Sequence, residues 1–189
     1  MSRYDSAEHL YDWQRNGTFP RIHDDIYNLV RSEVSPSDGG VLDLGSSTGL
    51  LTRRLAQAGY TVEGIEADAN AIAAGRTAGT YAPGVPVQHW MLTPGELPDL
   101  ADYLADSAIR VVVARRVLPE LDDAGITPAM LGDTFAKASV RHLFLEGRAP
   151  RQAATHRVRS VSIECAELER HWTPITFDGK NRAYLTVKE

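Results

Sequence analysis

Cysteine is nearly missing from this 189-residue chain: Cys165 stands alone, so no internal disulfide can form. The six histidines are scattered, and neither they nor Cys165 offer a zinc-ligand spacing. No apolar run approaches the roughly 20 residues that a membrane-spanning helix needs. The first residues, MSRYDSAEHLYDWQRNG, are polar and charged and do not read as a secretory signal, so a reducing cytoplasm is the expected compartment. Repeats and low-complexity blocks are absent as well. Basic residues are in deficit, 20 Lys and Arg against 25 Asp and Glu, for a net charge of −5. A protein that lives on non-specific phosphate contacts would normally be basic. The deficit is uneven, because residues 137–189 carry 10 Lys and Arg against 6 Asp and Glu. That basic tail reads either as a solvated mixed surface or as a face toward an anion.

What is present is an ordinary globular composition, 43% apolar and 24% charged, in a length suited to one domain. Short β-branched runs alternate with helical stretches, the pattern of a parallel sheet covered by helices. Helices are expected over 5–15 and 20–34, followed by a loop at 35–40. Strands are expected at 41–44, 61–65, 85–92, 109–114 and 142–146. The intervening helices are expected at 50–58, from Asp68 to about 78, at 99–104, and from Thr127-Pro128 to about 138. Asp68 and Thr127 are read as N-caps. The run Ile109–Ala114 is apolar throughout, which suggests burial on both faces. Residues 149–161 resist assignment. A helix is expected over 163–171, then strands at 172–177 and 182–187 around Asp178-Gly179-Lys180-Asn181, a hairpin signal.

The chemistry concentrates in Val41-Leu42-Asp43-Leu44-Gly45-Ser46-Ser47-Thr48-Gly49. A strand enters a glycine turn and leaves as a helix whose free N–H groups face whatever binds there. In open α/β sheets ligands sit at the carboxyl ends of the strands. The dinucleotide fingerprint G-x-G-x-x-G is not met, because the spacing here is Gly45-x-x-x-Gly49. Asp43, two residues before the first glycine, would repel a pyrophosphate and disfavours NAD and FAD. It suits S-adenosylmethionine, which carries an ammonium and a sulfonium and no phosphate.

VLDLGSSTG resembles motif I of the class I S-adenosylmethionine-dependent methyltransferases, with Ser47 in place of the middle glycine. Thr61-Val62-Glu63-Gly64-Ile65-Glu66 resembles the family's second strand, whose terminal carboxylate takes both ribose hydroxyls; Glu66 offers two acceptor oxygens to a vicinal diol. The resemblance implies a three-layer α/β Rossmann-like sandwich. Its mostly parallel seven-stranded sheet would have the order 3-2-1-4-5-7-6, with strand 7 antiparallel. It implies a single domain over 1–189, with a helical cover at 1–38, a cofactor-binding core at 39–148, and a cover segment, helix and hairpin at 149–189. The cofactor would be S-adenosylmethionine, leaving as S-adenosylhomocysteine. Its expected contacts are Asp43, Gly45, Ser46, Thr48, Gly49, Glu66, Ala67, Trp90, Met91 and Ala114. No Asp follows the third strand to read the adenine amine, so Trp90 or Met91 would pack on the base.

After the fourth strand stands Ala114-Arg115-Arg116-Val117, without the Asn or Asp and paired prolines of DNA amino-methyltransferases. Nor is there a Pro-Cys nucleophile of the cytosine C5 class, since Glu164 precedes Cys165. Arg115, Arg116 and Arg148 are candidates to bind an anionic acceptor, although the adjacent pair should diverge and could simply pair with Glu120 or Asp122. Arg151, His156, Arg157 and Arg159 extend the basic stretch. Tyr11, His23 and Glu146, with His9, are candidates for a general base, and Tyr4, Tyr11 and Trp13 are candidates to wall a pocket. Methyl transfer to an O or N atom of a small molecule is the expected reaction, an in-line displacement driven largely by alignment. The alternatives are a methyltransferase acting on RNA, DNA or protein, and a catalytically inactive scaffold or binding protein with the same fold.

Overall fold

The computed structural model describes residues 19–148, 160–177 and 181–188. The expected helix at 5–15 lies outside them, as do Tyr4, His9, Tyr11, Trp13, Arg151, His156, Arg157, Arg159 and the Asp178-Gly179-Lys180 part of the hairpin turn. Seven strands form one sheet of order β3-β2-β1-β4-β5-β7-β6, the order the resemblance implies. They are β1 (Gly40–Leu44), β2 (Val62–Glu66), β3 (Val87–His89), β4 (Ile109–Arg115), β5 (His142–Glu146), β6 (Trp172–Phe177) and β7 (Arg182–Val187). β7 runs antiparallel to both of its neighbours. The described helices are α1 (Phe19–Glu33), α2 (Leu50–Gln57), α3 (Ala69–Thr77), α4 (Leu97–Asp106), α5 (Leu118–Asp123), α6 (Pro128–Lys137) and α7 (Val161–Leu168). Among the described residues no helix is long and apolar enough to cross a membrane.

The chain divides into two compact units, one holding residues to Ser37 with Leu42–Met91, the other Asp38–Val41 with Leu92 onward. In the first, α1 buries Ile26 and Val30 at helical spacing and packs against α2. The Arg54 guanidinium lies 4.2 Å from the Tyr27 ring centroid and pairs with Asp24. Asp68 caps α3 as expected, its carboxylate accepting the Asn70 N–H at 2.8 Å. β2 and β3 pair in parallel, Gly64 opposite Val87 through Glu66 opposite His89.

In the second unit Val111, Val112 and Val113 are all fully buried. Successive strand side chains point to opposite faces, so β4 is covered on both, as its apolar run suggests. β4 and β5 are parallel with Arg115 opposite Glu146; β5 and β7 are antiparallel with Glu146 opposite Arg182. Phe144 and Tyr184, also opposite each other, stack with centroids 4.7 Å apart. α6 packs against both α4 and α7, and Thr127 caps it by accepting the Met130 N–H.

Several expected boundaries change. β3 covers three residues rather than 85–92, because Pro86 has no N–H to donate and, among the described strands, β2 alone lies beside it. β2 ends one residue later than expected, inside which Glu66 now falls. α4 begins at Leu97, ahead of Asp99, after a one-turn helix at Pro94–Glu96 in which Thr93 and Glu96 form a capping box. α7 spans 161–168 rather than 163–171, and α5 was not expected, being six residues long and too short to show a helical period.

Candidate functional site

The turn after β1 is built on alternate left-handed residues: Gly45 has φ 74°, Ser47 φ 51° and Gly49 φ 80°. Ser47 therefore adopts the glycine-favoured conformation despite its side chain, at the position where the motif's middle glycine would stand. Gly45 and Ser46 both donate their N–H to the Ile65 carbonyl, at 2.9 and 3.0 Å, tying the turn to β2.

A residue that sequence reasoning missed holds the other side of this turn. The Tyr81 ring presses on the turn so closely that a β-carbon on Gly49 would come within 2.4 Å of it. Its hydroxyl donates to the Ser47 carbonyl and, having spent its proton, accepts from Ser46 Oγ at 3.0 Å. Burial pushes the Tyr81 phenol well above its ordinary range, so it stays a donor. Thr80 donates to the Thr48 carbonyl in the same way. Ser46 and Thr48 are buried, and the contacts around them shape the loop. An aromatic residue in a Gly-Thr-Tyr-Ala-Pro-Gly loop carries no sequence signal for this task.

Tyr81→Phe removes the hydroxyl and keeps the ring on Gly49. It is expected to cost about 1–3 kcal/mol, because a buried Ser46 hydroxyl and the Ser47 carbonyl lose their partner. Thermal unfolding measures it, and an unchanged midpoint would show that the hydroxyl does not hold the turn.

The two candidate acids of this unit differ. Asp43 is 3% exposed and accepts from Thr52 Oγ1, in α2, at 2.6 Å. It ties the strand to the helix that follows the turn, a buried role that its sequence position alone does not reveal. Glu66 closes β2 and receives two backbone N–H groups, Ser47 on Oε2 at 2.7 Å and Asp68 on Oε1 at 2.8 Å. Burial raises its carboxyl above the usual range, while the hydrogen bonds from Asp68 and Ser47 pull the other way. Each oxygen keeps a second lone pair. The Trp90 N–H binds the Glu66 carbonyl at 3.0 Å, which brings Trp90 beside Glu66, and Met91 next to it is exposed. The Ala67 carbonyl contacts His89 Nε2 at 3.0 Å. His23 is buried on α1.

In the second unit the substrate candidates converge where divergence was expected. Glu146 has a fully buried side chain. Arg115 Nε stands 3.0 Å and Arg116 Nε 3.8 Å from its Oε1, and Arg182 Nε 3.5 Å from its Oε2. Strand register alone aligns Arg115, Glu146 and Arg182. Arg116 joins them because it leaves the strand in the left-handed conformation, φ 55°, with its N–H bound to the Glu146 carbonyl at 2.6 Å. Burial raises the Glu146 carboxyl, and the guanidiniums of Arg115, Arg182 and Arg116 oppose that rise. Ala114 is buried in β4, and Arg148 follows β5 with its carbonyl bound by the Val161 N–H.

No protein-family model matches the chain. A curated relative, the ubiquinone biosynthesis O-methyltransferase of Paramagnetospirillum magneticum, is 29% identical over 179 residues. The match covers 86% of this chain, which spans only 66% of the relative's length. Among solved structures, N-methyltransferase NodS from Bradyrhizobium japonicum WM9 in complex with S-adenosyl-L-homocysteine superposes with a TM-score of 0.67 at 14% identity. That match covers 98% of each chain. The magnesium protoporphyrin IX methyltransferase from Synechocystis PCC 6803 with bound SAH gives 0.65 at 14% identity, covering 98% of this chain and 96% of that one. With the sheet order, these likenesses give the chain the class I S-adenosylmethionine-dependent methyltransferase fold.

Proposed function

We propose that this protein is an S-adenosylmethionine-dependent methyltransferase acting on an O or N atom of a small molecule. The observation that carries the reading is Glu66: a buried carboxylate at the end of β2, both oxygens fixed by backbone N–H groups, each with one lone pair left. That is a preorganised acceptor pair for a vicinal diol. The glycine turn beside it leaves backbone N–H groups at the start of α2, and the buried charge of Asp43 under the turn disfavours a pyrophosphate there.

In this reading Glu66 holds the ribose, Ala67, Trp90 and Met91 line the base, and Gly45, Ser46, Thr48 and Gly49 shape the backbone against the amino-acid end. Ala114 belongs to the same expected set, from β4. Bound S-adenosylmethionine supplies a methyl group on a sulfonium that is already a good leaving group. The chain's work is then to align and desolvate, with no general base required unless the acceptor holds a proton of high pKa.

Calorimetric titration tests it. Saturable one-to-one binding of S-adenosylmethionine and S-adenosylhomocysteine is expected, with no heat from NADH. Binding of NADH, or of neither nucleoside, would overturn the cofactor assignment. An oligonucleotide bound with an affinity that falls steeply with salt would overturn the small-molecule part.

A further inference from the structure

We propose that Tyr81 is a positioning residue for ribose recognition: its hydroxyl holds the carbonyl of the left-handed Ser47, which keeps the Ser47 N–H on Glu66 and so aims the carboxylate that meets the diol. The inference rests on the reading of Glu66 as the ribose acceptor and adds the residue that sets its orientation.

Ser47 is pinned at both ends. Its N–H donates to Glu66 Oε2 at 2.7 Å, and its carbonyl accepts from the Tyr81 hydroxyl. Between the two lies a backbone with φ 51°, which a residue with a side chain adopts only at a cost. Such a conformation persists where its surroundings impose it. Other contacts hold the flanks of the turn: Gly45 and Ser46 give their N–H groups to the Ile65 carbonyl, and the Gly49 N–H binds the Ser46 carbonyl at 2.9 Å. The Tyr81 hydroxyl meets the Ser47 carbonyl itself. Without it, Ser47 is free to relax toward the right-handed or extended regions, and its N–H then swings away from Glu66. Glu66 would keep the Asp68 N–H on Oε1 and lose the contact that orients Oε2.

The ring is seated to make that contact. One edge faces Gly49 and the other Gly75, where added β-carbons would come within 2.4 and 2.6 Å of ring carbons. Gly75 lies inside α3, where glycine is a poor helix former; the Tyr81 ring and the Thr48 carbonyl leave room for nothing larger. Thr80, the preceding residue, donates its N–H to the Gly75 carbonyl at 2.9 Å and fixes the start of the loop. Ser46 Oγ, 3.0 Å from the Tyr81 oxygen, packs on Gly64 in β2, where a β-carbon would come within 2.7 Å of it. The phenol oxygen therefore stands where the turn meets the strand that ends in Glu66. A side chain needed only to fill this slot could be phenylalanine. The hydroxyl is what reaches a strained carbonyl one residue from the ligand-facing acid's own donor group. All of these residues lie in the first compact unit.

The test uses the full chain, titrated with S-adenosylhomocysteine and with its 2′,3′-dideoxy analogue, which differs only in the diol. The native chain is expected to prefer S-adenosylhomocysteine by ~10-fold or more, the contribution of hydrogen bonds to a charged acceptor. In Tyr81→Phe that preference is expected to shrink about 3- to 10-fold, with the analogue bound as before. A residue that merely supports the fold would weaken both ligands alike and leave the ratio unchanged. Adding Ser47→Gly to Tyr81→Phe supplies a residue that takes the left-handed conformation freely, and is expected to restore stability and most of the preference. If Tyr81→Phe does not fold, the paired variant decides: recovery of folding and preference upholds the proposal, and failure of either overturns it. An unchanged ratio in folded Tyr81→Phe overturns it and leaves the methyltransferase reading standing. Equal binding of both ligands by the native chain removes the ribose role of Glu66 and the proposal with it. A native chain that binds neither ligand overturns the methyltransferase reading, and amide hydrogen exchange of the free chain then judges Tyr81 by itself. Faster exchange at Ser47 in Tyr81→Phe, with the β2 amides unchanged, upholds its hold on the Glu66 contact; exchange equal to the native chain overturns it.

Discussion

Glu146→Ala is expected to lower stability by about 3 kcal/mol, the low end of what losing one partner from a buried ion pair costs. The carboxylate is fully buried and is shared by Arg115, Arg116 and Arg182. Burial works against its charge, but truncation is worse: three guanidiniums would then face one another across an empty space. The figure stays at the low end because Arg116 and Arg182 can turn outward to water. For a domain of this size the loss corresponds to a melting point lower by roughly 6–12 °C. Glu146→Gln keeps the volume and one acceptor oxygen and should fall between. Thermal or urea unfolding decides it. A loss below about 1 kcal/mol in the alanine variant would mean that the arginines are already solvated independently of Glu146.

That cluster marks where the sequence stopped being readable. β5, β6 and β7 were legible to the residue, because HLFLE is an apolar run bounded by turn signals and the last two strands alternate around Asp178-Gly179. The turn from Gly45 to Gly49 was legible because left-handed backbone leaves glycines behind, and Glu66 because an acid closed a second strand at the expected distance. The arginine convergence was not legible. Arg115 and Arg116 are neighbours, and in an extended chain neighbours point apart; only the left-handed turn at Arg116 brings both to one carboxylate. Arg182 reaches it through antiparallel register with β5, a long-range pairing that no local pattern encodes. Tyr81 was hidden for a similar reason, since its partners Ser46, Ser47 and Gly49 lie more than 30 residues away. Asp43 shows the opposite error. Its position relative to the glycine turn was plain, but not that its carboxylate is buried against Thr52.

The largest effect on ligand binding is expected at Glu66. Glu66→Gln should weaken S-adenosylhomocysteine by about 10- to 100-fold, since hydrogen bonds to a charged acceptor contribute ~1.5–3 kcal/mol each and a tenfold change is ~1.4 kcal/mol. The amide has one acceptor oxygen where two backbone donors, from Ser47 and Asp68, already converge, so its NH2 must face one of them. A pH series separates recognition from scaffolding. Burial raises the Glu66 carboxyl above its ordinary 4.5, so the folded chain takes up this proton before the unfolded chain does. The folded state therefore binds more protons between those two values, and this group's effect on stability worsens as pH rises through the window and improves as it falls. Nucleoside affinity must run the other way, because a diol needs the ionised acceptor: it should weaken as pH drops through the raised value. In the native chain stability and affinity then move in opposite senses over one interval, and in Glu66→Gln both contributions vanish. A native affinity that stays level across that interval would show that Glu66 only braces the turn and does not hold the ribose.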